Sequence, residues 1–269
     1  MPPRIFGIVN ATADSFSDGG KYLVPEAAVA RALQLVADGA NTIDLGAAAS
    51  NPDAAHVPPQ EEIRRLAPIV AALKARDVEI SIDSFAPETQ TWALAQNIAW
   101  LNDIQGFPDP SLYEAIAQSN VRLVVMHNVA LRGQAQRIDT DPATIFARLY
   151  RFFDERIAAL EQAGISRDRI VLDPGMGFFL GTNPEVSLAV LRRLDDLKAR
   201  YGLPVLISVS RKSFVRKLAG VDVAGSGTAT LAAELFAAAR GADYLRTHDV
   251  AALSQALSVW SGLTGGGKP

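Results

Sequence analysis

Eight short runs of apolar and β-branched residues alternate along the chain with longer segments of helical period, and this alternation leaves few folds open. The runs are RIFGIV, NTIDLG, VEISID, AWLNDI, VRLVVMH, RIVLDPG, LPVLISVS and DYLRTHD, each with the length and composition of a buried strand. Between them lie amphipathic stretches such as PEAAVARALQLVADG, PQEEIRRLAPIVAALKARD, PATIFARLYRFFDERIAALEQAG and PEVSLAVLRRLDDLKARYG. Several open with Pro and close on Gly, as helices favour. One residue taken at each strand end, Asn10, Gly46, Asp83, Asp103, His127, Asp173, Ser210 and His248, gives separations of 20 to 46 residues, each the length of one strand and helix unit. The pattern predicts an α/β (β/α)8 TIM barrel closing on itself as one domain over residues 1–263, with TGGGKP at 264–269 as a tail. A doubly wound open sheet is the rival, and at this length it would need a second domain or extra strands. IFARLYRFFDERIAAL reads as an ordinary outer helix facing the barrel. TLAAELFAAARGA suits either a dimer face or burial against strands seven and eight.

Composition narrows the partners. With 269 residues, 49% hydrophobic and 20% charged, the chain can bury a full core. A net charge of -3 with scattered Lys and Arg gives no basic footprint, which argues against nucleic acid and leaves a small anionic ligand open. The chain has no cysteine, which excludes disulfides, thiolate zinc sites and a cysteine nucleophile. MPPRIFG lacks an apolar signal core and no apolar run reaches the length of a membrane span, so a soluble, cytoplasmic protein without a membrane partner is expected. No His and carboxylate cluster stands at ligand spacing. A Mg2+ ion held mainly by substrate phosphates would leave only a faint trace, such as Asn10.

In a barrel of this kind, chemistry sits where strands end. Those ends carry Asn10, Asp83, Asn102, Asp103, His127, Asp173, Ser210, Arg211, Lys212, Arg246 and His248. Any one of them could be a cap or a turn, and for Asp103, followed by IQGFPD, that reading is as good as a functional one. Capping does not explain Lys212, Arg246 and His248 on one rim. Asp83, Asn102 and Asp173 can together present acceptors and an amide to a ring with an N-C-N hydrogen-bonding edge. Lys212, Arg246 and His248 follow strands seven and eight, where barrels commonly keep a phosphate, and Asn10 adjoins them on closure. SRKS precedes a helix whose first amides attract an anion. His127 alone in VVMHN reads better as a satisfied core residue than as a catalyst.

FGIVNATADSFSDGG, SIDSF, LNDIQG, VVMH, LDPGMGF, SRKSF and LRTHD, in this order and over nearly the whole chain, resemble the dihydropteroate synthases of folate biosynthesis. The resemblance implies a (β/α)8 barrel, usually a homodimer, that joins 6-hydroxymethyl-7,8-dihydropterin diphosphate to 4-aminobenzoate with magnesium present and releases pyrophosphate. It implies that Asp83, Asn102 and Asp173 grip the pterin edge, with Met126 in its pocket and Lys212 on its oxygen and ring nitrogen. Asn10, Arg246 and His248 would hold the diphosphate and its magnesium. Ser213 and the amides behind it would receive the aminobenzoate carboxylate. TADSFSDGG and the loop after strand two would close over the site, excluding water.

Two stretches depart from the family pattern. AASNPDA stands where the family has an ESTRPG-like loop, so Ser50 takes the Thr place and Asn51 replaces an Arg. GMGFFLGTNPE stands where a GFGFGK-like loop is usual, about two residues longer, without the Lys and with an extra aromatic at Phe178 or Phe179. Both departures resemble the sulfonamide-insensitive synthases of mobile resistance genes. A ring beside the pocket passes a flat carboxylate and clashes with a tetrahedral sulfonamide. Two other readings stay open: a barrel passing a methyl group from methyltetrahydrofolate to a corrinoid protein, and a degenerate paralogue that binds pterin without synthesis.

Overall fold

A computed structural model describes residues 2–11 and 25–265. Its eight strands are β1 (Arg4–Asn10), β2 (Thr42–Gly46), β3 (Ile80–Asp83), β4 (Trp100–Asp103), β5 (Arg122–Met126), β6 (Ile170–Asp173), β7 (Leu206–Ile207) and β8 (Tyr244–Thr247). All pair in parallel, in the order β6-β5-β4-β3-β2-β1-β8-β7. A parallel bridge between Leu172 and Val205 joins β6 to the start of β7 and closes the barrel. The expected (β/α)8 barrel is thus the fold, as a single domain.

The helices among the described residues are α1 (Pro25–Ala37), α2 (Pro59–Lys74), α3 (Pro87–Ala95), α4 (Tyr113–Gln118), α5 (Ile145–Gln162), α6 (Pro184–Arg192), α7 (Leu194–Tyr201), α8 (Ser213–Ala219), α9 (Gly227–Ala239) and α10 (Val250–Leu263). Pro at the first turn starts α2, α3 and α6, where its missing N–H would have had no partner anyway. The α5 stripe Phe146, Leu149, Phe153, Ile157 and Leu160 faces the core, as its period predicted. PEVSLAVLRRLDDLKARYG, read as one amphipathic stretch, is broken at Arg193 (φ -120°, ψ 29°) into α6 and α7. There the Arg193 guanidinium stacks 3.9 Å over Phe146 while its Nε donates to Asp196 at 2.7 Å, two contacts that favour the break over a straight helix.

Strand side chains alternate between the barrel interior and the helices, so residues two apart share a wall. The lower interior layer is apolar: Phe6, Trp100, Val124, Val171 and Leu206, with Tyr244 packed against them. Phe6, Trp100 and Tyr244 meet edge to face at 5.1–5.6 Å. This plug closes the barrel from below. Two residues further along the same strands stand Ile8, Asn102, Met126, Asp173 and Arg246, and the register sets Asn10 beside Gly46, Gly46 beside Asp83, Asp83 beside Asn102 and Met126 beside Asp173. The polar set is therefore a floor raised one layer above the plug, at the C-terminal ends of the strands.

Candidate active site

Arg246 organises the floor. Its Nε donates to Asp44 Oδ2 and its Nη2 to Asp83 Oδ2, each at 2.5 Å. Asp44, on β2, is wholly buried, and its second oxygen has no hydrogen-bond partner among the described residues. Burial works against the Arg246 charge, yet Asp44 and Asp83 hold its proton more firmly than usual. Burial raises the Asp83 carboxyl, Arg246 opposes this, and Asp44 adds to it. Side-chain-free Gly46 lies between Asn10 and Asp83: a Cβ there would touch the Asp83 backbone oxygen at 3.8 Å and Asn10 Oδ1 at 3.9 Å. Asn102 is buried and its Oδ1 has no partner among the described residues, so the floor keeps an amide oxygen ready for a ligand.

Asp173 and Lys212 complete the floor. Asp173 Oδ1 accepts from the Gly175 amide at 2.7 Å, and burial pushes the carboxyl up to about 6. Gly175 holds φ +74°, and a Cβ on it would stand 2.5 Å from the His127 backbone oxygen, so the turn that orients Asp173 requires glycine. Burial brings the Lys212 ammonium down to about 8, Arg246 adds to this, and Asp173 and Asp83 oppose it. Its Nζ lies 4.8 Å from the centre of the Phe179 ring.

His248 and Ser210 stand together on the rim. Ser210 Oγ lies 2.9 Å from His248 Nδ1 and accepts from the His248 backbone amide at 3.2 Å. The His248 carbonyl accepts from Arg31 of α1. Burial, together with Arg211, Arg246 and Lys212, brings the imidazole down to about 3, so it is neutral near pH 7.

Beside the floor, the loops after β2, β5, β6 and β7 enclose a cavity of about 160 Å³. Ser50 and Asn51 line it from the β2 loop, Phe178 and Phe179 from the β6 loop, and Lys212, Ser213 and Arg216 from α8 and the turn before it. Phe179 is buried in a cluster with Ile104, Met126 and Ala135, and its carbonyl accepts from the Val129 amide at 2.9 Å. Phe178 is half-buried, with the Arg137 guanidinium 5.6 Å above its ring. Arg137 also pairs with Asp53, so one cation ties the loops after β2, β5 and β6 together.

The floor brings together Asp83, Asn102, Asp173, Lys212 and Arg246, and the cavity gathers Ser50, Phe178, Phe179 and Ser213, with Met126 at their junction. Asp103 and His127 stand apart. Asp103 accepts from Gln90 and from the Gln105 and Phe107 amides, which is the turn role open to it. His127 is buried, with Nδ1 3.2 Å from the Pro174 oxygen and its ring edge-on to Phe152, a satisfied core residue. Asp44 is the residue the strand-end reading missed; its signal was an acid in the middle of the apolar NTIDLG. The expected lid TADSFSDGG lies outside the described residues.

The sequence matches the family model of pterin-binding enzymes over residues 6–248. It is 56% identical over 259 residues to a dihydropteroate synthase type-2 of Escherichia coli, covering 96% of this chain and 95% of that one. It is 53% identical over 256 residues to a dihydropteroate synthase type-3 of Escherichia coli, covering 95% of this chain and 97% of that one. A solved dihydropteroate synthase of Xanthomonas albilineans with 4-aminobenzoic acid superposes with a TM-score of 0.88 at 40% identity, covering 98% of this chain and 93% of that one.

Proposed function

The chain belongs to the dihydropteroate synthases of the pterin-binding enzyme family, and we infer from its floor and cavity how it joins 6-hydroxymethyl-7,8-dihydropterin diphosphate to 4-aminobenzoate. The observation that carries this reading is the buried floor, where the acceptor Asn102 Oδ1 has no partner among the described residues and two carboxylates stand beside it. Asp83, Asn102 and Asp173 match the donor and acceptor edge of a pterin, and Lys212 supplies a donor to its oxygen and ring nitrogen. Met126 packs against the ring.

In the reaction, the bond from the pterin methylene to the diphosphate oxygen breaks, the arylamine nitrogen takes the methylene, and one amine proton is lost. Catalysis then rests on stabilising separated charges, for which a preorganised floor is better suited than a strong base. Arg246 and neutral His248, its Nδ1 engaged with Ser210, stand where the leaving diphosphate would accept their hydrogen bonds. Carboxylates pressed against Arg246 keep that donor fixed before substrate arrives, and Asp173 and Asp83 favour the charged form of Lys212.

The donor set suits magnesium in one mode. No group of three or more His or carboxylate residues able to hold a metal occurs among the described residues. Asn10 offers a hard oxygen at the mouth, the kind of ligand an ion carried in by phosphates uses. Bound so, magnesium would neutralise charge on the leaving diphosphate.

Ser50 and Ser213 flank the arylamine cavity, with Phe178 and Phe179 as its aromatic wall. That wall supports reduced sulfonamide binding, because a planar carboxylate fits a slot that a tetrahedral sulfonyl group widens. Exposed Leu218, Val223, Phe236, Val259 and Leu263 on or next to α8, α9 and α10 support a homodimer through that face. Among the described residues no helix is long and apolar enough to cross a membrane, and the folate-pathway chemistry suits the cytoplasm.

The test is formation of dihydropteroate and pyrophosphate from the two substrates, with and without a sulfonamide, beside a synthase lacking the extra aromatic. A methyl-transferring barrel releases no pyrophosphate, and a degenerate paralogue fails to restore growth to cells without their own synthase. Product formation that a sulfonamide abolishes equally in both enzymes would leave the activity standing and refute the reduced binding.

A further inference from the structure

Arg216 lies one helical turn beyond Ser213 on α8, so both side chains share a helix face, and both line the cavity of about 160 Å³. Its Nε is buried and has no hydrogen-bond partner among the described residues, and no carboxylate among them pairs with its guanidinium. The other two cations of the cavity are placed differently. Lys212 is drawn toward Asp83, Asp173 and the Phe179 ring, and Arg211 is exposed. A buried guanidinium donor without an acceptor is costly unless a ligand completes it. The cavity it lines has the rings of Phe178 and Phe179 on one side and the polar side chains of Ser50, Asn51 and Ser213 around it.

We propose that Arg216 is a specificity-determining residue that receives the carboxylate of the arylamine substrate, its planar fork matching a planar anion in the aromatic slot. The inference rests on dihydropteroate synthesis as the activity. It gives the cavity the fixed charge that Asn51 cannot supply, and it sets that charge on a helix rather than on a loop. A guanidinium pairs with both carboxylate oxygens at once, whereas an N-substituted sulfonamide presents its oxygens out of a common plane with the ring. Arg216 therefore selects by charge and by shape.

The experiment compares 4-aminobenzoate with its neutral amide, 4-aminobenzamide, in the full-length enzyme and in Arg216→Gln and Arg216→Lys. Arg216→Gln is expected to raise KM for 4-aminobenzoate about ten- to a hundredfold, the range for a hydrogen bond to a charged group. KM for the pterin diphosphate should stay unchanged, and the preference for carboxylate over carboxamide should collapse. Arg216→Lys keeps the charge and loses the fork, so it should retain part of that preference. An unchanged preference in Arg216→Gln, or an equal rise in both KM values with the preference kept, overturns the inference and leaves the activity standing. Absence of product from the unmodified enzyme overturns both. If Arg216→Gln does not fold, the Lys variant decides: an undiminished preference for carboxylate together with an undiminished affinity for it refutes the role of the fork.

Discussion

The guanidinium of Arg246, on β8, lies 2.5 Å from a carboxylate oxygen of Asp83, on β3, and so links two strands that are not neighbours in the barrel. The same group holds Asp44 of β2 at 2.5 Å. Both carboxylates face an interior with an apolar plug beneath and the C-terminal mouth of the barrel above. Arg246→Met leaves Asp44 and Asp83 without the guanidinium that pairs with both, and breaking a buried pair from one side costs about 3–5 kcal/mol. A urea titration should show that loss. Arg246→Lys keeps charge but cannot fork to both carboxylates, so it should fall between. A midpoint for Arg246→Met equal to that of the unmodified protein would show that the network carries no stability.

The floor also sets a pH window. Asp173 must be ionised to accept from a pterin, and burial raises it to about 6; Lys212 must be protonated, and burial lowers it to about 8. Plotted against pH, kcat/KM should therefore rise through about 6 and fall through about 8. Stability runs with the opposite sign on the acid side. A carboxyl raised in the folded state binds its proton more tightly folded than unfolded, so Asp173 makes the protein lose stability as pH climbs from about 4 to about 6. Lys212→Arg should move the basic limb of whatever activity remains upward. A basic limb unmoved in that variant would assign it to another group.

Legibility in the sequence followed the range of the forces involved. Strands and helices follow from period and from Pro and Gly at their ends, which are local, and the strand-end residues Asp83, Asn102, Asp173, Lys212 and Arg246 follow from where barrel strands stop. Asp44 was hidden because nothing local separates a mid-strand acid that faces an arginine from one that is merely solvated; its partner lies 202 positions away. LPVLISVS has the composition of a full strand, yet only Leu206–Ile207 forms a ladder, since β7 meets β6 at a single bridge. The tie from Asp53 through Arg137 to Phe178 spans three loops and leaves no periodic trace. Arg216 reads as a solvated helix cation until its neighbours are known.

Gly175 offers a test of how far orientation of Asp173 matters. At φ +74°, with the His127 oxygen 2.5 Å from any added Cβ, alanine forces the turn to shift. The strain is about 1–3 kcal/mol, and the amide that donates to Asp173 Oδ1 moves with it. Gly175→Ala should lower the thermal midpoint and raise KM for the pterin diphosphate. Full pterin affinity in a destabilised Gly175→Ala would mean that the turn holds the loop but not the carboxylate.

Phe178 and Phe179 are adjacent in sequence and should behave differently when each is cut to alanine. Phe179 is buried against Met126 and Ile104 and carries Lys212 over its ring, so its loss opens a cavity in the mouth and frees a cation. Truncation of a buried phenylalanine costs about 3–5 kcal/mol, and Phe179→Ala should lose both stability and turnover. Phe178 is half-buried at the cavity edge, packed against the outside of the cluster around Phe179 with the Arg137 guanidinium over its ring. Phe178→Ala should fold with a smaller loss than Phe179→Ala, because its ring is half-exposed, and keep its turnover with 4-aminobenzoate. With the ring gone, the slot widens where the sulfonyl group of a sulfonamide would stand, and inhibition should strengthen by about tenfold or more, the effect of relieving a clash worth roughly 1–3 kcal/mol. Steady-state inhibition of the two variants against a common sulfonamide separates the assignments. Stronger inhibition in Phe178→Ala alone marks its ring as the discriminating wall. The same gain in Phe179→Ala would mean that selectivity comes from the shape of the whole loop, and no gain in either variant would remove the aromatic wall as its cause.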